Sequence, residues 1–449
     1  MSAERSARSV SGAGGVDRVR ALQRVLYRSA KHDPARRFHA LFTHVARSDI
    51  VWRAWGDVAA NRGAPGVDGV SVDDVEDSGV GEFLDALAGE LKAKLYRPRP
   101  LRRVHIPKPG KPGATRPLGI PCVRDRVVMA AAKIVLEPIF EADFSPQSYG
   151  FRPRRSAHMA TEAIRVEANR GADWVLDADV SDCFGSIDHD ALMALVARRV
   201  SDREMLKLLR SWLRAGVLEN GVRTDSVSGT PQGSPISPLL ANIALHVLDV
   251  EWEKAGRGLG VLIRYADDFV VLCATKARAE EARDRAAAVL STLGLQLNPD
   301  KTRIVRLTRG EQGFDFLGFH HAKVEAWRWP GRFYMQRWPS ERAMASIRDK
   351  VRQATDRRFV GYSLETAVQR LNPVLRGWGT YFGVGNSARK FSAVDSYVHM
   401  RLAKLASTKY GLSHRNWART NRFNLEWLVS LEVYRLTGTV RRGTAHALR

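Results

Sequence analysis

Val261-Leu262-Ile263-Arg264-Tyr265-Ala266-Asp267-Asp268-Phe269-Val270-Val271-Leu272 places a pair of carboxylates between two apolar, β-type runs. Such a pattern reads as a hairpin that presents acid at its turn. Burying the pair without a counter-charge costs on the order of several kcal/mol. A divalent cation is the simplest counter-charge, because hard cations prefer oxygen ligands. A solvated Asp-Asp turn would show the same local sequence, so the rest of the chain has to decide.

The 449 residues suffice for several packed units, and 44% apolar content excludes global disorder. A net charge of +23 serves a polyanion better than it serves a fold. No apolar run reaches the roughly 18 residues of a spanning helix; Val127–Phe140 is broken by Lys133 and Glu137. Nucleic acid is therefore the expected partner, and membrane is not. Cys122, Cys183 and Cys273 lie far apart, which argues against a zinc site or disulfide framework and for a reducing, cytoplasmic setting. Residues 1–20 hold no apolar signal core and read as a flexible start.

Residues 21–60 carry apolar positions at helical spacing. Arg97–Pro121 is dense in proline and cations, and reads as extended strands joined by a turn at Pro109-Gly110-Lys111-Pro112-Gly113. Val123–Phe140 reads as a helix, and Trp174–Val180 as a strand. Ser237-Pro238 predicts a helix start with Ser as N-cap and Pro at N1. Arg278–Leu293 predicts a helix stopped by Gly294. Helical patterns over 341–356, 364–382 and 387–408 follow, a small basic three-helix bundle after an α/β body. In the last, Arg389, Lys390, Arg401 and Lys404 lie largely off the apolar face, as an RNA-facing flank would.

The second acidic cluster is Asp177-Ala178-Asp179-Val180-Ser181-Asp182 at a strand end. Residues i and i+2 share a strand face, so Asp177 and Asp179 point the same way. Two metal ions about 4 Å apart need carboxylates from separate strands, and the Asp267 hairpin would supply the partner. Asp267 and Asp268 face opposite ways in a hairpin; Asp267 is the expected primary ligand and Asp268 the secondary one. Nucleases share this logic. The loop Thr230-Pro231-Gln232-Gly233-Ser234-Pro235 has a glycine for close backbone approach and a glutamine able to touch a base or sugar.

Taken in order, these stretches resemble a group II intron-encoded reverse transcriptase/maturase. The resemblance covers about 61–410. It is carried by Gly63–Gly69, Ile106–Pro109 with Arg116–Pro121, Ser148–Pro153, Asp179–His189, Gly229–Asn242, Tyr265–Asp268, Leu295–Thr302 and Phe316–Phe319. It implies an α+β, right-hand polymerase fold: N-terminal extension and fingers over 21–172, palm over 173–335, an α-helical thumb/maturase bundle over 336–411, and a basic tail over 412–449 suited to DNA. It implies RNA-directed DNA synthesis from dNTPs on a DNA primer, with intron RNA and an RNA template as partners and homodimerisation as an option. Asp179, Asp267 and Asp268 would be catalytic, holding two Mg²⁺ (or Mn²⁺) with the Val180 carbonyl. Lys108 and Arg116 would grip the triphosphate, Phe184 would pack under the sugar, Gln232 would lie near the incoming nucleotide, and Lys301 would follow the post-catalytic helix. Phe316–Phe319 would form the primer-grip turn, and Leu371–Phe382 the maturase segment. The chain departs from the family at Cys183-Phe184-Gly185, where relatives carry further aromatic and acidic residues, and it shows no cysteine-histidine endonuclease. Two rivals remain: a chiefly non-enzymatic RNA-binding maturase, and a reverse transcriptase domesticated for phage defence, CRISPR or DNA repair.

Overall fold

The computed structural model describes residues 17–107, 113, 115–219, 221–225, 228–230, 233–307, 312–412 and 421–441. The expected turn at 109–113 falls outside them except for Gly113, and so do Lys108 and Gln232. The chain divides into two units. One comprises Met1–Ser156, Ala178–Val270 and Glu280–Arg303; the other comprises Ala157–Asp177, Val271–Ala279 and Ile304–Arg449.

In the first unit, the helix Val123–Glu141 is buried on nearly every side, and the helices Arg18–His32 and Ser48–Asn61 pack against it. Ordered helix begins inside the stretch expected to be flexible: Asp17 caps Arg18–His32 by accepting the Arg20 N–H at 3.0 Å. Strands β1 (Leu101–Pro107) and β2 (Thr115–Ile120) pair antiparallel, with Ile106 opposite Arg116. With β4 (Val217–Glu219) and β5 (Val222–Thr224) they form a sheet in the order β2-β1-β4-β5. The helix Ser237–Glu251 starts differently from the expected cap. Ile236 is the N-cap, without a side-chain bond, and Ser237 is a buried helical residue. Pro238 alone supplies the start signal, because its missing N–H costs nothing in the first turn. The helix expected over 278–293 runs Lys276–Ser291. Gly294, at φ +73°, ends it in the left-handed conformation that glycine tolerates best, and the Leu295 N–H returns to the Leu290 carbonyl at 3.0 Å.

A further sheet has the order β6-β7-β3-β8, from β6 (Val261–Tyr265), β7 (Asp268–Cys273), β3 (Trp174–Asp179) and β8 (Arg303–Arg306). The expected hairpin is present, with Ala266 and Asp267 as its two-residue turn. The fold is thus α+β.

In the second unit, β9 (Gly313–Phe316), β10 (Phe319–Ala326) and β11 (Trp329–Pro339) form an antiparallel sheet in the order β11-β10-β9. The β9–β10 turn places Leu317 and Gly318 at φ +51° and +77°, as a tight hairpin requires, and the Tyr381 hydroxyl donates to the Leu317 carbonyl at 2.8 Å. The three helices are Glu341–Ala354, Leu364–Phe382 and Ala388–Lys409, within two residues of their expected limits. Ser340 and Ser363 cap the first two. Their core joins Met344, Ile347, Leu371, Leu375, Phe391, Val398 and Leu402 to Phe423, Leu428 and Leu436. The segment 421–441 is therefore part of the bundle's packing. Asp395 accepts the N–H groups of Leu436 and Thr437 at 2.9 and 2.8 Å. Asn372 accepts the Tyr434 N–H and donates to the Glu432 carbonyl at 2.8 and 2.9 Å. Gly379 makes room for this: a Cβ there would lie 2.5 Å from Leu436 Cδ2.

Candidate active site

The acidic turn is held in a conformation its own sequence does not favour. Ala266 sits at φ +58°, the left-handed region where a hairpin corner normally selects glycine. Its surroundings impose this. Segment 147–150 runs beside β6: the Tyr149 N–H donates to the Arg264 carbonyl at 2.9 Å, and the Arg264 N–H donates to the Gln147 carbonyl at 3.0 Å. Gly150 then meets the turn backbone to backbone; a Cβ there would lie 2.3 Å from the Ala266 nitrogen. Arg152 ties this segment down, with a fork to Glu141 at 2.9 and 2.8 Å and a bond to the Ser148 carbonyl at 2.6 Å.

Beneath the turn lies a charge network that the sequence reading passed over. The Arg264 side chain, 1% exposed, donates to both Asp249 oxygens at 2.9 and 2.5 Å, to Asn242 Oδ1 at 3.0 Å and to the Ala266 carbonyl at 2.9 Å. Asn242 donates in turn to the Gly150 carbonyl at 2.8 Å. Asp249 is 3% exposed, and the Arg264 guanidinium overcomes its burial and holds its pKa down at about 2. The signal was an arginine inside an otherwise apolar strand and an aspartate on an otherwise apolar helix. A buried charge of either kind demands a partner.

Asp179, at the end of β3, faces this turn. Its backbone is clamped by residues 296–298: the Asn298 N–H donates to the Asp179 carbonyl at 2.8 Å, and the Ser181 N–H to the Gln296 carbonyl at 2.9 Å. Val180 is buried and bridges Leu297. Lys301 reaches back from the same segment and pairs with Asp179 Oδ2 at 2.6 Å. Burial raises the pKa of Asp267, and the Asp179 charge raises it further, against the opposing pull of its own backbone N–H, Lys301 and Arg116. Asp268 is pushed up to about 7 by burial, then by the Asp267 charge and a hydrogen bond with Asp179. Both turn acids therefore reach Asp179, although they alternate along the chain. Arg116 lies on exposed β2, and its charge is felt at Asp267.

Phe184 is half-buried, and its carbonyl accepts the Thr230 N–H at 2.5 Å. Gly185 and Gly229 let these two loops touch: a Cβ on Gly229 would lie 2.6 Å from the Gly185 carbonyl oxygen. Cys183 is buried near the acids; burial first, and then the Asp267 charge, push its thiol up to about 12. It is an inert packing residue there, and all three cysteines are free and buried. In the bundle, Arg389 and Lys404 are exposed. Lys390 pairs with Glu341, and Arg401 donates to Thr355 Oγ1 and the Thr355 carbonyl, both at 3.1 Å, so these two cations tie helices together. Among the described residues, no helix is long and apolar enough to cross a membrane.

A family model described as reverse transcriptase (RNA-dependent DNA polymerase) matches residues 106–321. A second, described as group II intron, maturase-specific domain, matches residues 344–423. The chain is 36% identical over 336 residues to protein YkfC of Escherichia coli (strain K12), covering 66% of this chain and 86% of YkfC. It is 40% identical over 212 residues to group II intron-encoded protein LtrA of Lactococcus lactis subsp. cremoris, covering 47% of this chain and 35% of LtrA. Among solved structures, a partial Cas6-RT-Cas1--Cas2 complex matches at 24% identity and a TM-score of 0.35, over 55% of this chain and 40% of that one.

Proposed function

This chain belongs to the group II intron-encoded reverse transcriptases with a maturase domain, and from that premise we propose that it copies RNA into DNA at Asp179, Asp267 and Asp268, and uses its helical bundle to bind intron RNA. The observation that carries the reading is the mutual electrostatic stress of the three carboxylates, with Asp268 raised to about 7.

Reverse transcriptases generally use divalent metal ions. Among the described residues no three acidic, histidine or cysteine groups are already gathered as a metal site. The donor chemistry nevertheless suits one: three carboxylates and the Val180 carbonyl are hard oxygen donors, and the acids raise one another's pKa for want of positive charge. We assign Asp179, Val180, Asp267 and Asp268 as the residues that would hold two Mg²⁺. Lys301 would have to cede Asp179 Oδ2. When bound, two such ions supply activation of the primer 3′-OH and neutralise charge on the phosphates. Arg116, with its guanidinium fork, suits the triphosphate of a dNTP, and Lys108 would join it. Lys301, released from Asp179, would be free to meet a phosphate. Phe184 would pack under the sugar, and Gln232 would face the nucleotide. Fingers over 21–172, palm over 173–335 and thumb over 336–411 remain the proposed division, with the tail over 412–449 beyond.

The test is primer extension on poly(rA)/oligo(dT). Asp179→Ala or Asp267→Ala should lower the rate about a thousandfold or more, with RNA affinity unchanged within about twofold. Survival of extension in both variants would refute the site. The maturase model over 344–423 supports a second activity in the same chain, assistance of intron splicing. Splicing of the cognate intron at low Mg²⁺ should be promoted equally by the chain and by Asp267→Ala.

A further inference from the structure

The β10–β11 hairpin ends in a corner that turn chemistry does not explain. A two-residue turn of Trp327 and Arg328 joins the strands, where such corners select residues like Asn-Gly that accept positive φ. Neither Trp327 nor Arg328 has positive φ. Trp327 is 90% exposed, Trp329 56% and Tyr334 40%. Indole rings this exposed signal a partner surface. The row continues down one strand face. Tyr334, Gln336 and Trp338 alternate with the buried Met335, Arg337 and Pro339. Cations are interleaved with the rings. Arg328 and Arg332 are exposed and form no ion pair among the described residues. The nearby acid, Glu325, accepts the Gly331 N–H at 2.7 Å.

We propose that this hairpin tip is a stacking platform for single-stranded RNA, with Trp327 and Trp329 taking bases and Arg328 and Arg332 taking phosphates. Every base has a π-face, but in a duplex both faces are already stacked, so flat exposed rings favour single strands. Flanking arginines add cation–π and phosphate contacts. The choice of RNA over DNA rests on the polymerase/maturase reading; the preference for a single strand does not.

The experiment measures binding of the full chain to labelled oligo(rU), oligo(dU) and an RNA duplex by fluorescence anisotropy. The double variant Trp327→Ala/Trp329→Ala should weaken oligo(rU) binding about tenfold or more and alter duplex binding by no more than about twofold. Trp327→Phe/Trp329→Phe, which keeps flat rings, should recover most of the affinity, and melting by circular dichroism should match the parent chain. Arg328→Ala/Arg332→Ala should lower the slope of log affinity against log salt by roughly one. Unchanged oligo(rU) affinity, or an equal loss on the duplex, overturns the proposal. A larger loss on oligo(dU) than on oligo(rU) overturns the assignment to RNA. Loss of self-association, or of binding to phosphatidylglycerol vesicles, with RNA affinity intact gives the surface to another partner and also overturns it. Primer extension is scored on the same samples: extension that persists while the parent chain fails to bind oligo(rU) sinks the hairpin alone, and RNA binding through the tryptophans without extension sinks the polymerase reading alone.

Discussion

The carboxylate turn and the helical bundle are held by opposite means. Around Ala266 and Asp267 the contacts are polar, buried and directional: one guanidinium satisfies Asp249, Asn242 and a strained turn carbonyl together. In the bundle the contacts are apolar and numerous, with serine caps and the Asp395 and Asn372 clamps at the margins. The difference is physical. Apolar packing tolerates a small displacement of any one side chain, whereas a turn that must present two acids to a third needs its backbone fixed.

The largest test of this contrast breaks the buried pair. Arg264→Ala leaves Asp249 charged, buried and alone, and should cost about 3–5 kcal/mol in urea unfolding. The decisive variant is Arg264→Met/Asp249→Leu, which should regain most of that stability while primer extension stays at least about tenfold down. Wild-type extension by the paired replacement would show that any well-packed core fixes the turn, and the contrast would collapse. Next in size, Leu402→Ala in the bundle should cost about 2–5 kcal/mol, through lost burial and a cavity. A cost below about 1 kcal/mol would mean that the bundle is not close-packed. Gly379→Ala should cost about 1–3 kcal/mol by pressing on Leu436. Limited proteolysis should show 431–441 cut sooner than in the parent.

The smallest effect is one of pH. His321 is fully buried and stacked on Phe314, with neither ring nitrogen partnered among the described residues. Burial, helped by the Arg337 charge, holds its pKa down at about 3, against 6.5 for an ordinary histidine. The unfolded chain therefore binds the extra proton between these values. Stability is fully present above about pH 6.5 and falls below it, by at most about 1.4 kcal/mol per pH unit. His321→Phe should flatten that slope between pH 6.5 and 5 in thermal melts. An unchanged slope would place the acid sensitivity in other groups.

The contrast also explains what was legible in the sequence. Helical spacing gave the bundle within two residues at each end, because apolar periodicity is the same information that packs it. The hairpin and the strand-end Asp179 were legible because charge interrupted apolar strands. The network below was not: Asn242, Asp249 and Arg264 are separated along the chain, and only the fold brings them together. Ser237 misled as a cap because its hydroxyl chemistry fits a helix start, while the packing at Ile236 decided otherwise. Arg401 and Lys390 show the limit of charge patterning, since a cation off the apolar face can still be committed to a neighbouring helix. That Lys301 pairs with Asp179 follows from the 296–298 clamp, a contact with no local signature.

The clamps on residues 431–437 carry a consequence for engineering. Because Asp395 and Asn372 pin that stretch and Leu436 fills the space over Gly379, a chain shortened before residue 437 would lose part of its own interior. A fusion partner grafted beyond Arg441 would instead leave from a fixed anchor point, since Arg441 bridges Val384. The seam, rather than the last helix, marks where the maturase module can be joined to something new.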